Sequence, residues 1–253
     1  MIRLLLEILR INWLNYRPAD CLPDHCFCEA VSTGLIRQPI NAFTNIAYIL
    51  VGIIIIIFIS RTKNTHKKIS LTTGLPRRLL ILFGLASIAV GIGSFIYHAS
   101  FIFLGEQLDD DSMYLIGSFM LFYAIAHQRK LISGKFILLF MALNIIFEGL
   151  IFFFPVIRGM LFGILIVASL VITQTSLRHG LISDPKQQFM TSIELFAAAY
   201  LIWILDKTHY LCYPTSVFQG HAIWHILSAG AGLMMFFFMD ADYERGTARQ
   251  HTK

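Results

Sequence analysis

Seven stretches of the chain are apolar on every side rather than along a single face. They run near Ile40–Ser60, Leu79–Tyr97, Ser112–His127, Phe136–Phe154, Met160–Leu177, Phe189–Leu205 and Val217–Met239. A helix needs about 17–25 such residues to cross the hydrocarbon core of a bilayer. The third stretch is short, and its helix is expected to begin at Asp109–Asp111. Backbone groups in lipid must be satisfied within their own segment, so the pattern predicts helices and not open strands. The fourth and fifth stretches are parted only by Pro155, Arg158 and Gly159 in "FFFPVIRGM"; a topology with one helix fused or dropped is the alternative there. The expected architecture is all-α: an integral membrane bundle of seven transmembrane helices over residues 40–240. Residues 1–39 would lie outside the membrane, and residues 241–253 would form a tail.

The first residues, "MIRLLLEILRINW", are apolar but carry Arg3, Glu7 and Arg10 on one helical side. No small-residue cleavage site follows. The segment therefore reads as an amphipathic helix lying on a membrane surface, and not as a cleaved leader.

Composition agrees with the pattern. Hydrophobic residues make up 57% of the 253 and charged residues 14%, against about a quarter charged in soluble domains; the mean hydropathy is +0.69. Charge then sets orientation. Of the 20 Lys and Arg, 14 fall on the loops and tail of one side, led by Arg61, Lys63, Lys67, Lys68, Arg77 and Arg78. The positive-inside rule puts that side in the cytoplasm, with the N-terminus outside and the C-terminus inside. The net charge of +5 follows from this bias, and no nucleic-acid-binding patch is expected. All four cysteines, Cys21, Cys26, Cys28 and Cys212, then fall on the non-cytoplasmic side, where disulfides persist. A bridge from the N-terminal segment to Cys212 is one expectation; free or local thiols are the other.

Polar residues inside such spans are costly and point to function. Asn41 and Asn45 open the first span, Ser94 and His98 end the second, Asp109–Asp111 open the third, Asp206 closes the sixth, and His221 and His225 open the seventh. Alternating helix direction brings all of them to the outer ends. His221 and His225 are four residues apart, on one helical face. With His98 they make three imidazoles, which leave the fourth tetrahedral position of a zinc ion for water; zinc lowers the pKa of such a water to about 7. Asp109 is a candidate proton carrier. Ser94, one turn before His98, is a candidate donor to an oxyanion or a water. Haem ligation by the His pair, a zinc that only ties helices together, and ordinary buried histidines are the competing readings. The remaining histidines, His127 among them, read as surface residues, and Glu148 and Glu194 receive no chemistry.

Three segments together resemble the alkaline ceramidase family. "GIGSFIYHASFIFLGEQLDDDSM" has its Ser, then His four residues on, then Asp eleven residues after the His, namely Ser94, His98 and Asp109. "GHAIWHIL" supplies His221 and His225, and "CEAVSTGLIRQPINAFTNIAY" is similar to the N-terminal part of the family. The resemblance covers roughly residues 20–240, and a wider superfamily that includes adiponectin-type receptors shares the pattern. It implies a seven-helix membrane fold, zinc on His98, His221 and His225, and hydrolysis of the ceramide amide to sphingosine and a fatty acid. Asp109 would move the proton and Ser94 would steady the oxyanion. Asp24 and Glu29 are the residues nearest to the family's calcium site, but the six to eight oxygens that calcium takes are not assembled, so calcium dependence is expected to be weak or absent. Other lipid amides or esters, or a receptor-like role without turnover, are the alternatives. The expected partner is a membrane lipid.

Overall fold

A computed structural model describes residues 13–21, 26–61, 75–182 and 186–251, with side chains to 243. Eight α-helices carry the architecture: α1 (Pro39–Thr44), α2 (Ile46–Arg61), α3 (Leu80–Ser100), α4 (Phe103–Arg129), α5 (Ser133–Phe153), α6 (Arg158–Arg178), α7 (Lys186–Lys207) and α8 (Gly220–His251). No strand occurs among the described residues; one isolated bridge joins Pro18 and Ile102. Six helical segments are long and apolar enough to cross a membrane: Pro39–Arg61, Arg77–Ser100, Ser133–Phe153, Pro155–Arg178, Lys186–Lys207 and Gly220–Tyr243. Their outward faces carry bare aliphatic side chains such as Ile53, Leu85, Leu138, Val167 and Leu201, a surface suited to lipid and not to water.

The remaining long helix, α4, has 27 residues, about 40 Å at 1.5 Å per residue. It begins at Phe103, nine residues before the expected stretch and six before Asp109. The acids Asp109–Asp111 therefore lie in its second and third turns and do not open it. Two of the three face polar groups of the protein: Asp109 shares a cavity wall with Ser94, and Arg158 lies 3.1 Å from Asp110.

The first span is broken at Asn45, where α1 meets α2. The Thr44 hydroxyl bonds back to the carbonyls of Ile40 and Asn41, and Asn45 Nδ2 donates to the Asn41 carbonyl at 2.9 Å. The fourth and fifth stretches are separate helices, divided at Phe154 and a 3₁₀ turn over Pro155–Ile157. The last helix runs on to His251 without a break at the expected tail. The amphipathic helix expected over the first residues lies outside the described residues.

Close helix approach is built with glycine, the usual device where no hydrophobic force drives helices together. A Cβ on Gly93 would strike the backbone of Leu108 and Asp109. That contact is what brings Ser94 of α3 to Asp109 of α4. The N-terminal segment folds over the same end of the bundle. Ala19 N donates to the Phe101 carbonyl, Arg37 N to that of Ala99 and Gln38 N to that of His98, so the last carbonyls of α3 find donors outside their own helix.

His127, read from the sequence as a surface residue, is buried at the opposite end. Its Nε2 lies 2.9 Å from Asp242 and its Nδ1 3.0 Å from the Tyr123 carbonyl. The expectation failed because α8 continues past Met239 and delivers Asp242 onto α4.

Candidate metal centre and active site

His98 sits in the last turn of α3, and His221 and His225 in the first two turns of α8. All three are buried, and their ligand nitrogens lie within 4.8 Å of one another. His98 Nε2 and His221 Nε2 are 3.1 Å apart. Two nitrogens each about 2.0–2.1 Å from one tetrahedral zinc stand about 3.3 Å apart, so the residues present fit such an ion.

The outer ring nitrogens show how two of the rings are held. His98 Nδ1 lies 3.0 Å from Gln38 Oε1, and His225 Nδ1 lies 3.0 Å from Thr44 Oγ1. With Nδ1 protonated, the Nε2 lone pair of each ring is left for a metal. His221 Nδ1 is buried and has no partner. Its ring is stacked on Phe27, with centroids 3.6 Å apart.

Phe27 is fixed by covalent bonds on both sides. Cys26 is bridged to Cys21, and Cys28 to Cys212. The second bridge is the expected one from the N-terminal segment to Cys212. Asp206 works beside it: Oδ1 accepts from Cys28 N at 3.0 Å, and Oδ2 from His221 N at 3.1 Å. A Cβ on residue 220 would collide with the Asp206 side chain, so Gly220 is what lets the carboxylate reach the start of α8. Asp206 thus anchors a histidine-bearing helix and does not reach the ring nitrogens.

A cavity of about 410 Å³ opens beside the histidines, lined by Ser94, Asp109, Glu106, Asp110, Arg158 and Lys207 among others. Ser94 and Asp109 therefore share the wall with His221 and His225. A second, apolar cavity of about 230 Å³ shares Tyr48, Val90, Met113, Phe162 and Trp224 with the first, and continues between α6 and α7 along Ile166, Leu170, Ile193 and Phe196. Arg158, taken from the sequence only as part of a turn, reaches Glu106 at 2.6 Å, Asp20 at 2.8 Å and Asp110 at 3.1 Å. Sequence reading missed it because its partners come from two distant parts of the chain, Asp20 in the N-terminal segment and Glu106 and Asp110 in α4.

Asn41 and Asn45 do not reach the ring nitrogens with their side chains. Asn41 Nδ2 donates to Gln38 Oε1 at 3.1 Å. Glu29 is also committed: its two carboxylate oxygens accept from Ile40 N and Asn41 N, each at 2.8 Å. Burial pushes the Glu29 carboxyl above its ordinary value of 4.5, against the pull of those two amides. Asp24 lies outside the described residues.

Comparison with known proteins was made against this geometry. A ceramidase family profile matches residues 24–252. The chain is 24% identical over 251 residues to an alkaline ceramidase of Drosophila melanogaster, covering 95% of this chain and 84% of that protein. It is 24% identical over 232 residues to alkaline ceramidase 1 of Mus musculus, covering 87% and 81%. A putative alkaline ceramidase of Dictyostelium discoideum is 25% identical over 263 residues, covering 92% and 91%.

Proposed function

Because the chain belongs to the ceramidase family, we propose that it hydrolyses the amide bond of a ceramide-like lipid inside the membrane, releasing a sphingoid base and a fatty acid. One observation carries this reading. Three buried imidazoles lie together, and two of them, His221 and His225, line a cavity that Ser94 and Asp109 also line and that runs into an apolar chamber. His98, His221 and His225 would hold a zinc-type divalent ion, which when bound supplies Lewis acidity toward a carbonyl and makes water more acidic.

The chain's own groups do the rest. Asp109 takes the proton of the attacking water and returns it to the departing nitrogen, so that one C–O bond forms as the C–N bond breaks. Ser94, on the same cavity wall as Asp109, is the donor to the carbonyl oxygen as charge develops there. The apolar chamber takes hydrocarbon, each buried methylene contributing about 0.8 kcal/mol. Val156 and Met160 on one side and Tyr200 and Trp203 on the other line the cavity where α6 and α7 stand apart, which suits lateral access from lipid.

We take α4 as the seventh span, since its length suffices and its acids face partners in the protein. The Lys and Arg bias places the histidine end on the non-cytoplasmic side. With both Glu29 oxygens on backbone amides, we propose no calcium requirement.

The test is hydrolysis of a labelled panel of ceramides and other lipid amides and esters by purified, metal-loaded protein. Asp109→Asn is expected to lower kcat by about 10²–10⁴-fold while metal content stays full. A calcium-selective chelator is expected to leave the rate unchanged. Fully loaded wild-type protein that turns over no member of the panel would overturn the hydrolase in favour of the receptor-like reading. Loss of activity in the chelator, restored by calcium, would overturn the calcium statement alone.

A further inference from the structure

Gln38 is fully buried immediately before α1 and touches His98 twice. Its backbone N donates to the His98 carbonyl at 3.0 Å. Its side-chain Oε1 faces His98 Nδ1 at 3.0 Å and also accepts from Asn41 Nδ2 at 3.1 Å. The other end of the amide, Nε2, donates to the Glu29 carbonyl at 2.6 Å. A backbone carbonyl only accepts, so it fixes which way the amide points. Reversed, the amide would set oxygen against oxygen at Glu29 and NH₂ against NH₂ at Asn41.

The consequence passes to the imidazole. An amide oxygen locked in this direction only accepts, so His98 Nδ1 must carry the proton and Nε2 must be the bare nitrogen. Thr44, at the other end of the same short helix, treats His225 similarly. Its hydroxyl proton is directed at the carbonyls of Ile40 and Asn41, which leaves Oγ1 to accept from His225 Nδ1. The control is weaker there, because a hydroxyl can turn its proton away from those carbonyls and donate, which an amide oxygen cannot do.

We infer that Gln38 is the principal positioning residue of the metal centre, and that with Thr44 it fixes the tautomers of His98 and His225 so that both bare nitrogens face the same point. This inference rests on the metal-centre reading above. The six residues of α1, held at their start by the Glu29 carboxylate, are then a bracket that presets the ligand set before any ion arrives. Hydrogen-bonded partners of metal-bound histidines commonly govern metal affinity by about 10–100-fold.

The experiment measures zinc affinity of the purified full-length chain by competition with a chromophoric chelator, and the visible absorption of the cobalt-loaded protein. Gln38→Met keeps the side-chain length but loses the acceptor. It is expected to weaken zinc binding about 10–100-fold and to alter the cobalt bands, whereas Gln38→Glu, which keeps an acceptor for Nδ1–H, retains tight binding. Thr44→Val is expected to weaken zinc by a smaller factor than Gln38→Met, with Thr44→Ser at the wild-type value; this pair tests the second ring even if Gln38→Met does not fold. Wild-type affinity and an unchanged cobalt spectrum in both Gln38→Met and Thr44→Val would overturn the inference. So would a Gln38→Glu protein as weak as Gln38→Met, since the acceptor would then not be what matters. A wild-type chain that takes up no zinc or cobalt at all would overturn the metal-centre reading, and this inference with it.

Discussion

At one end of the bundle, His98, His221 and His225 turn ring nitrogens toward a common point beside a cavity of about 410 Å³. At the other end, His127 has both of its nitrogens against protein oxygens, Asp242 Oδ2 and the Tyr123 carbonyl. Arg77 Nε donates to Asp240 nearby at 2.6 Å, and the cavity there is about 10 Å³, roughly the space of a single water probe. The two ends draw on the same residue types. Both bury histidine, carboxylate and tyrosine among apolar helices. Burial of polar groups therefore does not by itself mark a reactive site. What separates the two ends is whether lone pairs are left over, and whether there is room in front of them.

The largest effects should come from exchanging one histidine at each end. His98→Ala is expected to lose bound metal and turnover entirely. His127→Ala is expected to keep full metal content but to lose about 1–3 kcal/mol of unfolding stability, because it removes one of the buried hydrogen-bond partners of Asp242. Elemental analysis and denaturant unfolding in detergent separate the two. Equal metal loss in both variants would remove the distinction between the ends.

The disulfides sharpen the comparison, since both belong to the histidine end. Cys28–Cys212 closes a sequence separation of 184, and Cys21–Cys26 one of 5. Replacing Cys28 and Cys212 by Ser is expected to cost about 2–5 kcal/mol, and replacing Cys21 and Cys26 distinctly less, since the stabilisation grows with loop length. Unfolding of the two double variants under identical conditions checks the order.

The smallest effect concerns Glu29, whose carboxyl lies above its ordinary value of 4.5 because burial outweighs the two amides it accepts. The folded chain holds this proton more tightly than the unfolded chain. Its contribution is therefore fully present below pH 4.5 and is lost as pH rises through the folded value. Glu29→Gln should flatten that slope, as read from denaturation midpoints across the acid range. An unchanged slope would show that the carboxyl is not perturbed in the folded chain.

Several features were legible because they are local. The apolar runs announced their helices, since a bilayer demands length and hydrophobicity and little else. The His-x3-His spacing placed His221 and His225 on one face, and Ser94 one turn before His98 placed hydroxyl and imidazole together. Boundaries were less legible where a polar residue has a distant partner. The acids of α4 looked like the start of a helix, and they are inside one, where Arg158 from a distant part of the chain meets Asp110. His127 looked solvated, and it is buried because α8 runs on past the apolar stretch.

The chain's composition and periodicity by themselves determined a helical membrane protein with its chemical residues near one set of helix ends. Only the tertiary structure decided which of those residues face one another. Gln38, Thr44, Phe27 and Arg158 carry no pattern of their own, and they acquire meaning from partners that are often far away in the chain. A periodic pattern records the face a helix turns to its surroundings. A hydrogen bond to a ring nitrogen depends on where two separately folded segments come to rest, and no single segment encodes that.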